Sequence, residues 1–391
     1  IDVTQLTTKT INGKDVVVGL KSEKGRPLKE ILPELIPTLL TQLKLPIGMR
    51  WGSESQSFIR PIHWIVSLYG DKVVPFTAYG VKADRYTFGH RCLTEASSKK
   101  EVSTGIKLSL KTPKDFFSTL EKKGKVICDS QKRQSLISAY LKKAKQTAVD
   151  PELLDEVTYL VEYPTPLTCT FDKKYLDIPG PVLVECMKKH QKYFPIYSGA
   201  SKPKLTNQFI VIADSVTPKN KQTIMNGNVR VLTARLEDAQ FFWEADKGVA
   251  LKTLIPKLDG VLFQKNLGSI FAKKERVKMI AQWLNKQTGN QVSDKLIKDG
   301  ADYCKSDLVS QMVFEFPSLQ GQVGQLVGQI QKLDPAITTA IRSHYLPHHY
   351  EDDCPKDVLG SLLAVADRLD TIVCCFENKL IPTGSQDPWG V

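Results

Sequence analysis

"NGNVRVLTARLEDAQFFWEAD", residues 226–246, is where the chain changes character. Before it, short extended runs alternate with helical ones; from about residue 228 the apolar spacing is almost entirely helical. Asn228 reads as the cap of the helix that starts there. Arg235 and Asp238, three positions apart, read as an ion pair on its face. Phe241, Phe242 and Trp243 are consecutive, so they cannot all face one core, and one ring is left to pack elsewhere. The stretch therefore separates a mixed first part from a helical second part, an α+β class overall.

Working back towards the N-terminus, "DVVVGL" at 15–20 reads as a strand. "GRPLKEILPELIPTLLTQLKLP" at 25–46 sets leucines and isoleucines at helical spacing, and its Pro33 and Pro37 predict a kinked helix or two short ones. "FIRPIHWIVSLYGDKVVPFTAYGVKA" at 58–83 gives two extended runs around Gly70-Asp71, a hairpin signal. Helices follow near 113–121 and 131–147. "PELLDEVTYLVEYPTP" then reads as a helix ended by Pro164 and Pro166, and "NQFIVIADS" at 207–215 as a buried strand. Towards the C-terminus, Ile270, Val277, Ile280, Ala281 and Leu284 mark an amphipathic stripe. Ser293-Asp294 caps the next helix, with Cys304, Leu308, Met312 and Val313 on its later turns. A last helix, opened by Pro355, buries Leu359, Leu362, Ala366, Leu369, Val373 and Phe376. The spaced glycines of "GQVGQLVGQ" (321–329) read as close helix packing.

Charge shifts near the same place. Residues 1–250 carry 38 Lys+Arg against 26 Asp+Glu, and residues 251–391 carry 16 against 16, so all of the +12 net charge lies in the first part. A basic part joined to a neutral one implies a polyanionic partner held by the first. The expected division is a basic mixed region, 1–255, with one or two subdomains, and a helical domain, 256–391. The 391 residues suit two or three domains. No apolar run approaches the roughly 20 residues that cross a bilayer, so no membrane partner is expected. Eight cysteines without a CxxC pair imply neither zinc site nor disulfide framework, and a reducing cytoplasm. A chain opening on Ile1 reads as a segment of a longer protein.

Phosphate loops of the P-loop or dinucleotide type are absent, as is the G-x-S-x-G elbow. "HYLPHHYEDD" (344–353) and "VADRLD" (365–370) gather histidines and carboxylates on helices, which resembles the HD phosphohydrolases. Their divalent metal needs a His-Asp dipeptide, and none of the six histidines here precedes an aspartate. His344, Asp307 and Asp367 remain as weak ligand candidates. Asp367 and Asp370 read otherwise as surface or capping partners for Arg368 and nearby loops.

The basic part is richer. "CMKKHQKYFPIY" (186–197) sets Lys188, Lys189, His190 and Lys192 against Tyr193, Phe194 and Tyr197. One reading is a helix end whose rings enter a core. The other is a nucleic-acid groove in which ammonium groups hold phosphates and rings stack on bases. "MRWG" (49–52), "FIRPIHW" (58–64) and "FGHR" (88–91) likewise combine cations with rings or turns.

With these motifs in order, the chain resembles the beta subunit of bacterial-type glycyl-tRNA synthetases, along essentially its whole length. Carrying the resemblance are MRWG, F-x-R-P-x-H-W, G-H-R, VEYP, MK-x-x-QKYFP, GN-x-R-V-x-x-x-RL-x-DA-x-FF, LFQ-x-x-LG, SDL-x-x-x-MVFEFP-x-LQG, AD-x-LDT and IPTGS-x-DP (381–388). The resemblance implies the central portion of a longer subunit that binds tRNA(Gly) and positions it for glycylation, with an HD-like helical domain. It implies an alpha subunit, or a fused alpha region, as partner, where ATP and Mg would act. This chain itself would hold no cofactor and no catalytic residue, and its F-R-x-E and G-x-G-x-x-x-R adenylation signatures are indeed absent. Candidate tRNA contacts are Arg50, Arg60, His63, Arg91, Lys188, His190, Lys192, Tyr193, Arg230 and Arg235. A metal phosphohydrolase and a pure scaffold for the alpha subunit are the rival readings.

Overall fold

In the computed structural model, residues 6–19, 24–53, 55–94, 105–144, 149–199, 203–264, 267–349 and 351–379 are described. The chain forms two compact units. The first comprises 1–136 with 158–165 and 214–217, and the second holds the rest. The boundary expected at 255/256 lies inside the second unit, because the long helix before it is tied to elements after it. The change in charge is thus not a packing boundary. Even so, the first unit keeps most of the positive excess, with 23 Lys+Arg against 15 Asp+Glu.

In the first unit, β1 (Leu6–Ile11) and β2 (Lys14–Gly19) form an antiparallel hairpin, confirming the strand expected from "DVVVGL". α1 (Leu28–Gln42) is one continuous helix despite Pro33 and Pro37. Short strands follow: β3 (Ile65–Val66), β4 (Leu68–Tyr69), β5 (Lys72–Val73), β6 (Thr77–Ala78), β7 (Val81–Asp84), β8 (Tyr86–Phe88) and β9 (Lys107–Ser109). β4 and β5 pair across Gly70-Asp71, with Gly70 at φ 64°, a left-handed turn that glycine adopts without strain. The core gathers Phe76, Ala78, Tyr79 and Ala83, packed by Ile36, Leu40, Trp51, Phe58, Ile62 and Ile65. α2 (Phe116–Lys122) closes this unit, and α3 (Ser130–Lys143) and α4 (Pro151–Leu160) carry the chain between the two. Positions 145–147 of the expected helix lie outside the described residues.

The second unit opens on a three-stranded sheet of order β10-β12-β11, formed by Thr165–Thr170, Lys204–Ala213 and Phe194–Ser198, with β12 as the buried strand expected. α5 (Gly180–Glu185) runs into a π turn, Cys186–His190, before β11. α6 (Lys221–Lys247) then spans 27 residues. Its buried side chains Leu232, Leu236, Ala239, Trp243 and Asp246 recur every three or four positions, one stripe facing the core. Asn228 sits within this helix and does not cap it. Its Nδ2 donates to the Ile224 carbonyl. Trp243 is buried, Phe242 half-buried and Phe241 exposed, as three consecutive rings require.

The remaining elements are α7 (Leu251–Leu254), the β13–β14 hairpin (Leu262–Gln264, Gly268–Ser269), α8 (Ile270–Gln287), α9 (Asp294–Tyr303), α10 (Gln311–Glu315), α11 (Gln322–Ile330), α12 (Pro335–Ser343) and α13 (Val358–Glu377). Ser293 does cap α9, accepting from Leu296 N–H. That helix stops at Tyr303, however, so Leu308, Met312 and Val313 belong to the turn and helix beyond it. Asp357, not Pro355, starts α13. The core of this bundle joins Val277, Ala281, Ile297, Ala301, Leu359 and Leu363. No described helix is long and apolar enough to cross a membrane.

Candidate functional site

The first-unit motifs separate by side chain. An antiparallel bridge between Met49 and Phe58 holds MRWG beside F-x-R-P-x-H-W, with backbone N–H···O distances of 2.8 and 3.1 Å. Trp51 stacks on Tyr79 at 5.6 Å between centroids, and Trp64 packs on Phe88. The rings are core. Arg50, Arg60 and His63 are exposed on the alternate positions, as is Arg91 further on, and none of the four has an ion-pair or hydrogen-bond partner among the described residues. Beside Arg91, His90 is buried. Its Nδ1 accepts from Cys92 and Leu93 N–H, and its Nε2 lies 3.0 Å from Asp214 Oδ2, while Asp214 Oδ1 accepts from Glu162 and Tyr163 N–H. His90, Asp214 and Glu162 form the one trio of His, Cys, Asp or Glu among the described residues with ligating atoms within 4.8 Å of one another. Both ring nitrogens of His90 and both Asp214 oxygens are already engaged, so the trio serves as a backbone clamp. Sequence reasoning missed this role; the G-H-R triplet was its only signal.

The basic-aromatic stretch in the second unit folds as the helix end of the first reading. Tyr193 is buried, stacks on Phe209 at 4.8 Å, and donates through its hydroxyl to Asn228 Oδ1 at 2.6 Å. Burial pushes its phenol up to about 12. Its ring is therefore not available to a base, which corrects its place among the tRNA candidates. Lys188 pairs with Asp150 at 3.0 Å and Lys192 with Glu156 at 2.8 Å, so each has a protein partner to exchange before it meets a phosphate. His190 packs edge-on against Phe316. On α6, Arg235 lies 3.8 Å from Glu315 rather than pairing with Asp238, and Arg230 is exposed.

Within the second unit lies a buried polar cluster that sequence reasoning found only in part. Asp307, fully buried, accepts from Gly321 N–H (2.6 Å) and Gly324 N–H (2.9 Å) through one oxygen; its other oxygen has no partner. A Cβ on Gly324 would sit 3.0 Å from that carboxyl, so the glycine spacing of 321–329 provides both the close packing expected and the donors. Burial raises Asp307 to about 6, against those N–H donors. His344 donates from Nδ1 to the Ala340 carbonyl at 3.1 Å, which leaves Nε2 a bare acceptor. Burial, then the charge of Lys305, lowers it to about 3, so the ring is neutral.

Asp367 and Asp370 are not surface partners of Arg368, which instead donates to the carbonyls of His344, Tyr345, Pro347 and Ala364. Lys305 holds Asp367 Oδ2 at 3.0 Å, and Lys273 lies 3.2 Å from Oδ1. Burial opposes ionisation of this carboxyl, but the two ammonium groups hold it well below the usual range. Asp370 accepts from Lys273 at 3.1 Å and from Arg276. Nothing in the motif pattern marked Lys273 or Lys305. A divalent metal does not fit His344, Asp307 and Asp367. Lys305 bonds one oxygen of Asp367, Lys273 lies within ion-pair distance of the other, which has no hydrogen-bond partner, and the three residues do not form a trio within ligating distance.

The comparisons with known proteins fall among subunits of aminoacyl-tRNA synthetases. A family model described as "Glycyl-tRNA synthetase beta subunit" matches residues 1–391, and the chain belongs to that family. Glycine–tRNA ligase beta subunits from Desulforamulus reducens and Moorella thermoacetica are 38% and 37% identical over 397 residues, covering 100% of this chain and 55% of each relative. One from Thermodesulfovibrio yellowstonii is 36% identical over 399 residues. The chain thus spans about 55% of the length of these relatives.

Proposed function

We propose that this chain is the part of a glycine–tRNA ligase that grips tRNA(Gly) and holds it towards an adenylating site on an alpha subunit or fused alpha region, in the cytoplasm. ATP and Mg act at that other site. The observation that carries this reading is the surface of the first unit, where Arg50, Arg60, His63 and Arg91 lie exposed on a unit with eight more cations than anions. Their motifs place rings inward and charges outward, which leaves the cations to meet phosphates. Membership of a glycyl-tRNA synthetase subunit family supports tRNA(Gly) as that polyanion. In this reading the helical part is HD-like and uses no metal, its carboxylates being neutralised by lysine and arginine.

Fluorescence anisotropy with labelled tRNA(Gly) at several salt concentrations tests the proposal. Replacing Arg50, Arg60 and Arg91 together by Ala is expected to flatten the slope of log affinity against log salt by about 2, at 0.7–0.9 per lost phosphate contact. Failure of the unmodified chain to bind tRNA(Gly) overturns the reading.

A further inference from the structure

The lysines nominated by sequence in the second unit carry protein partners. Other lysines there do not, and three of them line one recess. This cavity, of about 580 Å3, is bordered by Lys252 of α7, Lys295 of α9 and Lys332 at the end of α11, together with Tyr303, Asp299 and Asp334. None of the three ammonium groups has an ion-pair or hydrogen-bond partner among the described residues, whereas Lys273, Lys274, Lys278 and Lys305 of the same unit all do. The acids at the recess cancel them only in part, leaving three lysines against the two carboxylates Asp299 and Asp334. Asp302, also on its wall, is held by Lys274 at 2.7 Å and Lys278 at 2.6 Å. Asp334 caps α12 by accepting from Ala336 N–H and keeps its negative charge, and Asp299 is the one carboxylate there with neither kind of partner among the described residues. Lys332 is further distinguished by its backbone, at φ 58°, a left-handed position where a helix commonly ends on glycine. Hydrogen bonds from Lys332 N–H to Gln329 and from Leu333 N–H to Gly328 fix the backbone of that turn.

Three lysines without a protein partner among the described residues line this polar recess, with a half-buried tyrosine in its wall, a lining that suits phosphate. We propose that this recess seats the sugar–phosphate backbone of a bound RNA, a second grip remote in sequence from the arginines of the first unit. The RNA assignment rests on the tRNA reading above. Phosphate could reach the recess from RNA or from a mononucleotide, and the test separates the two.

Salt-dependent binding of tRNA(Gly) to the full chain is measured for the variant with Lys252, Lys295 and Lys332 all changed to Ala, with thermal melts to show that it is folded. The expected result is a salt slope flatter by about 2–3. Asp299→Asn should tighten binding, because it removes the opposing charge. An unchanged slope in the folded lysine variant overturns the proposal; if the Arg50/Arg60/Arg91 variant is still weakened, the tRNA reading itself stands. In a second arm, AMP, ATP and inorganic phosphate are titrated by calorimetry. Saturable binding of a mononucleotide that the lysine variant loses, without effect on tRNA, assigns the recess to a small ligand and overturns the RNA assignment.

Discussion

Tyr193 lies amid Lys188, Lys189 and Lys192, yet its ring is sealed against Phe209 and its hydroxyl bonds Asn228. Removing a buried aromatic costs about 3–5 kcal/mol. Tyr193→Ala should therefore lower the melting temperature markedly, while the protein still folded binds tRNA(Gly) with near-native affinity. Tyr193→Phe loses one hydrogen bond, about 1 kcal/mol, with a smaller shift. A Tyr193→Ala variant that melts normally but binds weakly would return the ring to a stacking role. His344 offers a second test at this scale. Its folded pKa of about 3 lies below the ordinary 6.5, so between those values the unfolded chain binds the extra proton and stability is lost as pH falls from about 6.5 towards 3. His344→Gln should lose less stability over that window in urea melts. Asp307, raised to about 6, works in the opposite sense: its contribution favours folding at low pH and is lost as pH rises from about 4 through 6. Asp307→Asn should accordingly make stability climb more steeply across 4–6. A wild-type-like profile in either variant contradicts the assigned shift.

At the scale of elements, periodicity located α6, α8, α9 and α13 but did not fix which way every helix faces. On α13, Leu369, Val373 and Phe376 were expected inside and are exposed, while Asp370 was expected outside and is buried. Asp370 is buried because it pairs with Lys273 and Arg276 of α8. Hydrophobic spacing cannot register an ion pair formed 94 residues away in sequence. Asn228 was misread for a related reason, because a capping residue type also suits a helix interior when its side chain has partners of its own. The glycines of α11 were legible as packing but not as donors to Asp307. Gly324→Ala puts a Cβ 2.7 Å from Ile341 Cγ2 and 3.0 Å from the Asp307 carboxyl, in a core with no room to yield. Overpacking of this kind costs about 1–3 kcal/mol. Gly227→Ala, with open space around it, is the control and should be neutral or slightly stabilising by denaturant unfolding. Equal effects of the two substitutions would contradict the packing account.

For the whole molecule, the mixed-then-helical order and the basic first part were readable because composition and spacing are local properties of the sequence. The partition into units was not, since α6 bridges the compositional boundary through contacts such as Asp246 with Gln311 and Met312 N–H. Of the candidate residues, the structure shows only their exposure and their protein partners. Arg50, Arg60 and Arg91 are exposed without an ion-pair or hydrogen-bond partner among the described residues, whereas lysines 188 and 192 are paired with acids that only the fold brings close. The same scale carries the last prediction. Adenylation needs a site that holds ATP phosphates against an activated carboxylate, and this sequence has neither a phosphate loop nor the F-R-x-E and G-x-G-x-x-x-R signatures. Among its buried aspartates, Asp367 and Asp370 face Lys273, Lys305 and Arg276, whose charges oppose a bound cation. The purified chain should therefore show no glycine-dependent ATP–pyrophosphate exchange above background, while still binding tRNA(Gly) in a salt-dependent way. Exchange should appear on adding the alpha subunit and should be insensitive to His344→Gln or Asp307→Asn in folded protein. Exchange by the chain alone, retained after repeated purification and abolished by either substitution, would place catalysis in the buried cluster and reverse the division of labour proposed for the two subunits.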